Sequence, residues 1–202
     1  MIAIIDYGVG NLFSLRSSLE ALGAEVTVSC DEAVIAAAEK IVLPGVGAFG
    51  DAMEKLRASG LDKVVIREAR NGKKLLGICL GMQLLFERSY EYGEHEGLGL
   101  LRGSVVPMQG RIPSELMIPH IGWNALLKKR EHPLLSGVKE GDCVYFVHSF
   151  YAEGCEDSLL ATAEYGRELT AMVARGGVAG AQFHPEKSSD VGLSILKAFI
   201  EW

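Results

Sequence analysis

The chain has 202 residues, enough for one sizeable α/β domain, although length alone leaves room for two small ones. Apolar residues make up 49% and charged residues 23%, which suits a soluble globular protein with a real core. A net charge of -6 with no local block of Lys and Arg argues against nucleic acid as a partner, since phosphate binding needs a concentrated basic surface.

The opening "MIAIIDYGVGN" lacks a basic stretch and meets Asp6 early, so it does not read as a signal peptide. No apolar run is long enough for a membrane span. Cys30, Cys79, Cys143 and Cys155 are scattered without a CxxC pair, as expected of reduced thiols in a cytoplasmic protein. "MIAII" reads as a buried strand. "NLFSLRSSLEALG" reads as a helix capped by Asn11, with Leu12, Leu15, Leu19 and Leu22 on one face and Gly23 at its end. "AEVTVS" is a strand, "DEAVIAAAE" a short helix and "KIVLPG" a strand. "DAMEKLRASG" and "LDKVVIREARNG" are helical, and "KKLLGI" is the strand that leads to Cys79. Alternating strands and helices predict right-handed crossovers and a mostly parallel central sheet flanked by helices. From Gly97 to about Ala181, short pieces such as "GSVVPM", "CVYFVHSFYA" and "VARGGVAGAQF" predict an antiparallel extension or mixed-sheet edge on the same core. "SDVGLSILKAFIEW" closes the chain as a helix behind a Ser/Asp cap, with Ile195, Leu196, Phe199 and Ile200 on its apolar face. No repeat or linker interrupts the chain, so a single domain over 1–202 is expected.

"G-I-C-L-G" has the spacing of a nucleophile elbow with sulfur in place of oxygen. A turn this tight strains the nucleophile's backbone and leaves no room for side chains at Gly77 or Gly81. The helix opening at Leu80 aims free N–H groups at the sulfur, where they favour thiolate and can hold an oxyanion. A buried structural cysteine between two packing glycines fits the pattern about as well. A thiol needs a base, and among the five histidines His184 alone has a carboxylate two residues on, in "FHPEKS". If the strand "GAQF" continues through this stretch, His184 and Glu186 share a side, and Glu186 can orient the ring. An isolated H-P-E at a strand end is more often an ordinary surface pair. "LPGVGAFG" at 43–50 is a candidate oxyanion or substrate loop, or simply a tight βα turn. "DYGVGN" resembles the opening of a dinucleotide fingerprint, but Phe13 stands where its third glycine belongs.

With "PGVG", "GICLGMQLLFE" and "HPEKS" in this order and spacing, the chain resembles the class I (triad) glutamine amidotransferases. "IAIIDYGVGNLFSL", "LPGVGAFGDAM", "PHIGWN" at 119–124 and "YFVHSFYA" at 145–152 are similar to one branch of them, the glutaminase subunits of imidazole glycerol phosphate synthases in histidine biosynthesis. The resemblance implies a Cys79-His184-Glu186 triad acting on L-glutamine, with no metal or organic cofactor. It implies an oxyanion site at Leu80 and in the loop Gly45, Val46, Gly47, and glutamine contacts at Gly47, Gln83, Glu96, His148, Ser149 and Phe150. It also implies a heterodimer with a (β/α)8-barrel cyclase that receives the ammonia through a channel, docked around Pro119, His120, Trp123, Asn124, Tyr145 and Lys187. Two other readings stay open on sequence grounds: a glutaminase serving another synthase, such as one making pyridoxal phosphate, and a non-catalytic binding protein on the same fold.

Overall fold

The computed structural model describes residues 1–202. In chain order the elements are β1 (Ile2–Ile5), α1 (Leu12–Ala21), β2 (Val26–Ser29), α2 (Glu32–Ala37), β3 (Lys40–Leu43), α3 (Phe49–Ala58), α4 (Leu61–Arg70), β4 (Lys74–Ile78) and α5 (Leu80–Leu84). The short strands β5 (Arg88–Ser89), β6 (His95–Glu96) and β7 (Ser104–Pro107) follow, then β8 (His120–Lys128), β9 (Cys143–His148) and β10 (Phe150–Glu153). The chain ends with β11 (Leu159–Glu164), β12 (Glu168–Arg175), β13 (Val178–Ala181) and α6 (Ser189–Glu201).

Nine strands form one sheet in the order β2-β1-β3-β4-β13-β12-β11-β8-β9. The part from β2 to β13 is parallel and the part from β13 to β9 antiparallel. A four-stranded sheet, β10-β7-β5-β6, lies beside it. Strand residues alternate between two cores. Ile2 and Ile4 pack with Leu15, Leu19, Ile195 and Phe199 of α1 and α6, while Ala3 and Ile5 pack with Ile35, Phe49, Leu56 and Val65 of α2, α3 and α4. Asn11 caps α1, its side chain accepting from the Ser14 N–H. No helix is long and apolar enough to cross a membrane.

Two local expectations are corrected. "VAGAQF" lies neither in an antiparallel extension nor at a mixed-sheet edge: β13 enters the centre of the sheet, antiparallel to β12 but parallel to β4, with Ala181 opposite Ile78. Ser189 and Asp190, expected to cap the last helix, lie inside α6; Ser188 stands at the cap position without capping it, its hydroxyl donating to the His184 carbonyl at 2.6 Å instead.

Parallel pairing of β4 and β13 brings the residues after both strands to the same carboxyl-terminal sheet edge, where ligands bind in open α/β sheets. The turn after β4 is set by two glycines. A Cβ on Gly81 would lie 1.8 Å from the Leu43 carbonyl oxygen, and one on Gly77 would lie 2.6 Å from the Gly81 carbonyl oxygen. Both obstacles are backbone and cannot swing aside. Gly81→Ala is therefore expected to destabilise the fold by about 3 kcal/mol or more. That should appear as a fall in Tm on the order of 10 °C in thermal unfolding; an unchanged Tm would mean that α5 does not pack against β3 this closely.

Candidate active site

Cys79 follows β4 with φ 54 and ψ -114, a left-handed backbone that a non-glycine residue adopts only when its surroundings enforce it. Its N–H donates to the Ala181 carbonyl at 2.8 Å, tying the turn to β13. The thiol lines a cleft of about 350 Å³ together with Val46, Gly47, Leu80, Gln83, His148, Ser149, Phe150 and His184. Cys79 and His184, distant in sequence, thus share one cavity, and the loop after β3 lends Val46 and Gly47 to its lining.

The His184–Glu186 pair forms, but not by the route the sequence suggests. β13 ends at Ala181, and Pro185–Lys187 is a single 3-10 turn, so the two residues do not alternate along a strand. Proline's fixed φ suits the first position of such a turn. The turn swings the Glu186 Oε1 to 2.8 Å from His184 Nδ1, with both side chains almost fully buried. Oε2 of Glu186 is buried without a hydrogen-bond partner, so the imidazole is the carboxylate's single such neighbour. Burial opposes the imidazolium, yet the hydrogen bonds to Cys79 and Glu186 outweigh it and raise the His184 pKa from 6.5 to about 9. The imidazole can therefore hold a proton at neutral pH, with Nδ1 committed to Glu186 and Nε2 left for the sulfur.

The "LPGVG" loop is packed onto the elbow. A Cβ on Gly45 would meet the Gly81 nitrogen at 2.9 Å, the Leu80 Cβ at 3.0 Å and the Tyr7 hydroxyl at 2.8 Å. Tyr7, in "DYGVGN", donates to the Pro44 carbonyl at 2.8 Å. Burial, with the Cys79 charge nearby, keeps that phenol protonated and so a donor. "DYGVGN" thus supports the loop against the elbow.

Of the expected glutamine contacts, Gly47, Gln83, His148, Ser149 and Phe150 line the cleft. Glu96 does not. Its side chain is 89% exposed and lies 3.9 Å from the Arg57 guanidinium. The carboxylate in the cleft belongs to Glu91, which accepts from the Phe49 N–H at 2.6 Å, at the start of α3. Burial raises its pKa, partly offset by that N–H and by His95. "SYEYGEHEG" offers several glutamates at close spacing, and nothing in its pattern distinguishes the buried one. Tyr92, next along and also in left-handed backbone at φ 53, lines the cleft and was likewise missed.

The expected docking residues divide between two faces. Trp123 and Tyr145 are opposite each other in the β8–β9 ladder, with ring centroids 5.9 Å apart, and Trp123 is half exposed. Lys187 is exposed, and Pro119 is exposed while also lining the cleft. His120 and Asn124 face the other way. His120 is 1% exposed, with Nδ1 3.1 Å from His148 Nε2 and Nε2 2.7 Å from Asn124 Oδ1, so it cannot touch a partner directly. Asn124 also donates to the Glu164 carbonyl at 2.9 Å. His148 is held neutral by burial, which lowers its pKa to about 3, and its Nδ1 donates to the Phe150 carbonyl at 2.9 Å.

Linkage gives the sign of one pH effect. Folded His184 binds its proton more tightly than the unfolded chain, whose imidazole titrates near 6.5. The resulting stabilisation is fully present below about pH 6.5, declines as pH rises and is lost through about 9. Urea unfolding across that window should show wild type losing roughly 1–3 kcal/mol relative to His184→Asn. Parallel stability curves would contradict the raised pKa.

Known proteins share this architecture and more. The chain matches the family model "Glutamine amidotransferase class-I" over residues 3–202. It is 48% identical to the imidazole glycerol phosphate synthase subunit HisH of Wolinella succinogenes, covering 100% of this chain and 99% of that one. It is 52% identical to the HisH subunit of Bacillus licheniformis (98% and 95% covered) and 50% identical to that of Aquifex aeolicus (97% and 94% covered). A solved glutamine amidotransferase superposes with TM-score 0.76 at 19% identity, covering 98% of this chain and 99% of that one. The PurLQS structure from Thermotoga maritima superposes with TM-score 0.75 at 21% identity, covering 99% and 97%; both likenesses concern the fold alone. The fold, the family model and the full-length relatives agree, and this protein belongs to the class I glutamine amidotransferases, alongside the HisH subunits.

Proposed function

We propose that this chain is the glutaminase subunit of an imidazole glycerol phosphate synthase, acting in histidine biosynthesis as one domain over residues 1–202, with Cys79, His184 and Glu186 as its triad. What supports the triad is above all one observation, the elbow cysteine and the Glu186-bound His184 in a single cleft. The Cys79 sulfur attacks the side-chain amide carbon of L-glutamine, its proton passing to His184. The tetrahedral oxyanion is held by the N–H of Leu80 and by an amide of the Gly45-Val46-Gly47 loop. His184 gives its proton to the amide nitrogen, the C–N bond breaks and ammonia leaves. Water, deprotonated by His184, then hydrolyses the thioester to glutamate and free thiol. Glu186 keeps the imidazole oriented throughout. Gln83, Glu91, His148, Ser149 and Phe150 shape the glutamine pocket, Glu91 replacing Glu96 as the carboxylate for the substrate's ammonium group.

The ammonia goes to a (β/α)8-barrel cyclase docked on the face carrying Trp123, Tyr145 and Lys187. There it is joined to a phosphoribulosyl-formimino-carboxamide ribotide, giving imidazole glycerol phosphate and an aminoimidazole carboxamide ribotide. The β9 backbone supports a link between docking and chemistry: the Tyr145 carbonyl accepts from the His184 N–H at 3.0 Å, and the Tyr145 N–H donates to the Ser188 hydroxyl at 3.0 Å. The turn that carries the base therefore hangs from the strand that carries the docking surface.

Glutamate release from glutamine, measured with the cyclase present, should fall at least about a thousandfold in Cys79→Ala. Turnover at the wild-type rate in that variant would end the assignment of the nucleophile. In the same assay Glu91→Gln should raise KM about tenfold or more with a smaller effect on kcat, whereas Glu96→Gln should leave both within about twofold; the reverse pattern would return the substrate contact to Glu96.

A further inference from the structure

Gln182, in "GAQFHPE", has no part in the chemistry above, yet it is fully buried between β13 and His184. Its Nε2 lies 3.9 Å from Cys79 Sγ, and its Oε1 accepts from Gln83 Nε2 at 2.9 Å. The same Gln83 nitrogen donates to the Phe150 carbonyl at 3.1 Å. The direction of this chain of bonds is dictated by its far end. A main-chain carbonyl can only accept, so the Gln83 atom facing Phe150 must be the amide nitrogen. That nitrogen's second hydrogen faces Gln182, so the Gln182 atom there must be oxygen. The remaining Gln182 nitrogen must then face the sulfur.

We propose that Gln182 is a positioning residue for the nucleophile, donating a hydrogen bond to the Cys79 sulfur and fixing the orientation of Gln83. The proposal rests on the reading of Cys79 as nucleophile. An N–H aimed at sulfur favours thiolate over thiol, because charge-assisted hydrogen bonds are the stronger kind. Both hydrogens of the Gln83 amide are also consumed, so Gln83 presents only its oxygen to the cleft that it lines. Whatever part of the substrate meets Gln83 must be a donor, such as the ammonium or amide N–H of glutamine, which selects against an isosteric carboxylate there.

The test compares wild type with Gln182→Glu and Gln182→Met, each assembled with the cyclase for turnover and used as the full chain for alkylation. The rate of iodoacetamide modification of Cys79 is followed against pH by mass spectrometry of its peptide, which separates it from exposed Cys30 and Cys143. Gln182→Glu replaces the donor with a carboxylate, and the alkylation midpoint is expected to rise by about one pH unit or more. Gln182→Met removes the donor without adding charge and should give a smaller rise, with kcat falling about tenfold and KM changing less. Midpoints equal to wild type in folded variants would overturn the relay while Cys79→Ala still decides the nucleophile, so the two failures are distinguishable. Where neither variant folds, the side-chain amide resonances of wild-type chain labelled with nitrogen-15 glutamine take their place. A Gln182 resonance that moves with Cys79 titration supports the relay, and one that stays fixed overturns it.

Discussion

Everything in the cleft depends on how closely the first turn of α5 packs against the end of β3. Gly81 touches the backbone at Leu43, and Gly77 touches the carbonyl of Gly81, so the chain between them has one way to pass. That passage puts Cys79 in left-handed backbone and projects its thiol beyond the sheet. The same contact seats the loop after β3, because Gly45 lies against Leu80 and Gly81 and beneath the Tyr7 hydroxyl. Three glycine-bearing segments that look independent in the sequence are one packed unit. The left-handed backbone at Cys79 is sustained by this unit and not by any single hydrogen bond.

The sheet supplies the rest by its change of direction. β13 is the strand at which the parallel half meets the antiparallel half, so its carboxyl end lies beside that of β4 while its other neighbour leads outward to β8 and β9. Parallel pairing delivers Cys79 and Gln182 side by side; the antiparallel half returns Tyr145 to hold the turn bearing His184. Cys79 is thus fixed between β4 and β13, while His184, just past the end of β13, is held in addition by β9 through the Tyr145 carbonyl. A displacement of β9 would reach the turn bearing His184 directly through that hydrogen bond.

Much of this was legible in the sequence because the relevant signals were local. The helices from α1 to α4, the strands from β1 to β4 and the elbow each carry their own periodicity or glycine spacing. What was not legible depended on long-range pairing. "VAGA" has no feature that tells a central strand from an edge one, and the fate of His184 and Glu186 turned on whether the strand continued past Ala181. Proline at 185 is compatible with an extended end and with the 3-10 turn that forms. The choice of Glu91 over Glu96 is decided by the α3 terminus some forty residues earlier in the chain, where the Phe49 N–H requires an acceptor. His120 reads as a docking residue from its place in "PHIGWN", but β8 alternation turns it inward while sending Trp123 out.

The two histidines of the cleft show how environment assigns different roles to one residue type. His148 is buried against the Phe150 carbonyl and His120, with no carboxylate partner, and burial prevails: it is neutral, with a fixed tautomer, and serves as a rigid wall. His184 is also buried, but the Glu186 carboxylate lies on one nitrogen and the Cys79 sulfur interacts with the ring, so its pKa is raised instead. Of the two, only the histidine on the turn has a raised pKa, while the one on the strand is kept neutral. The shared acceptor between these two halves is the Phe150 carbonyl, which takes a hydrogen from His148 and another from Gln83. Through Gln83 and Gln182 that carbonyl also dictates which atom faces Cys79, so a main-chain group two side chains away sets the polarity of the sulfur's surroundings.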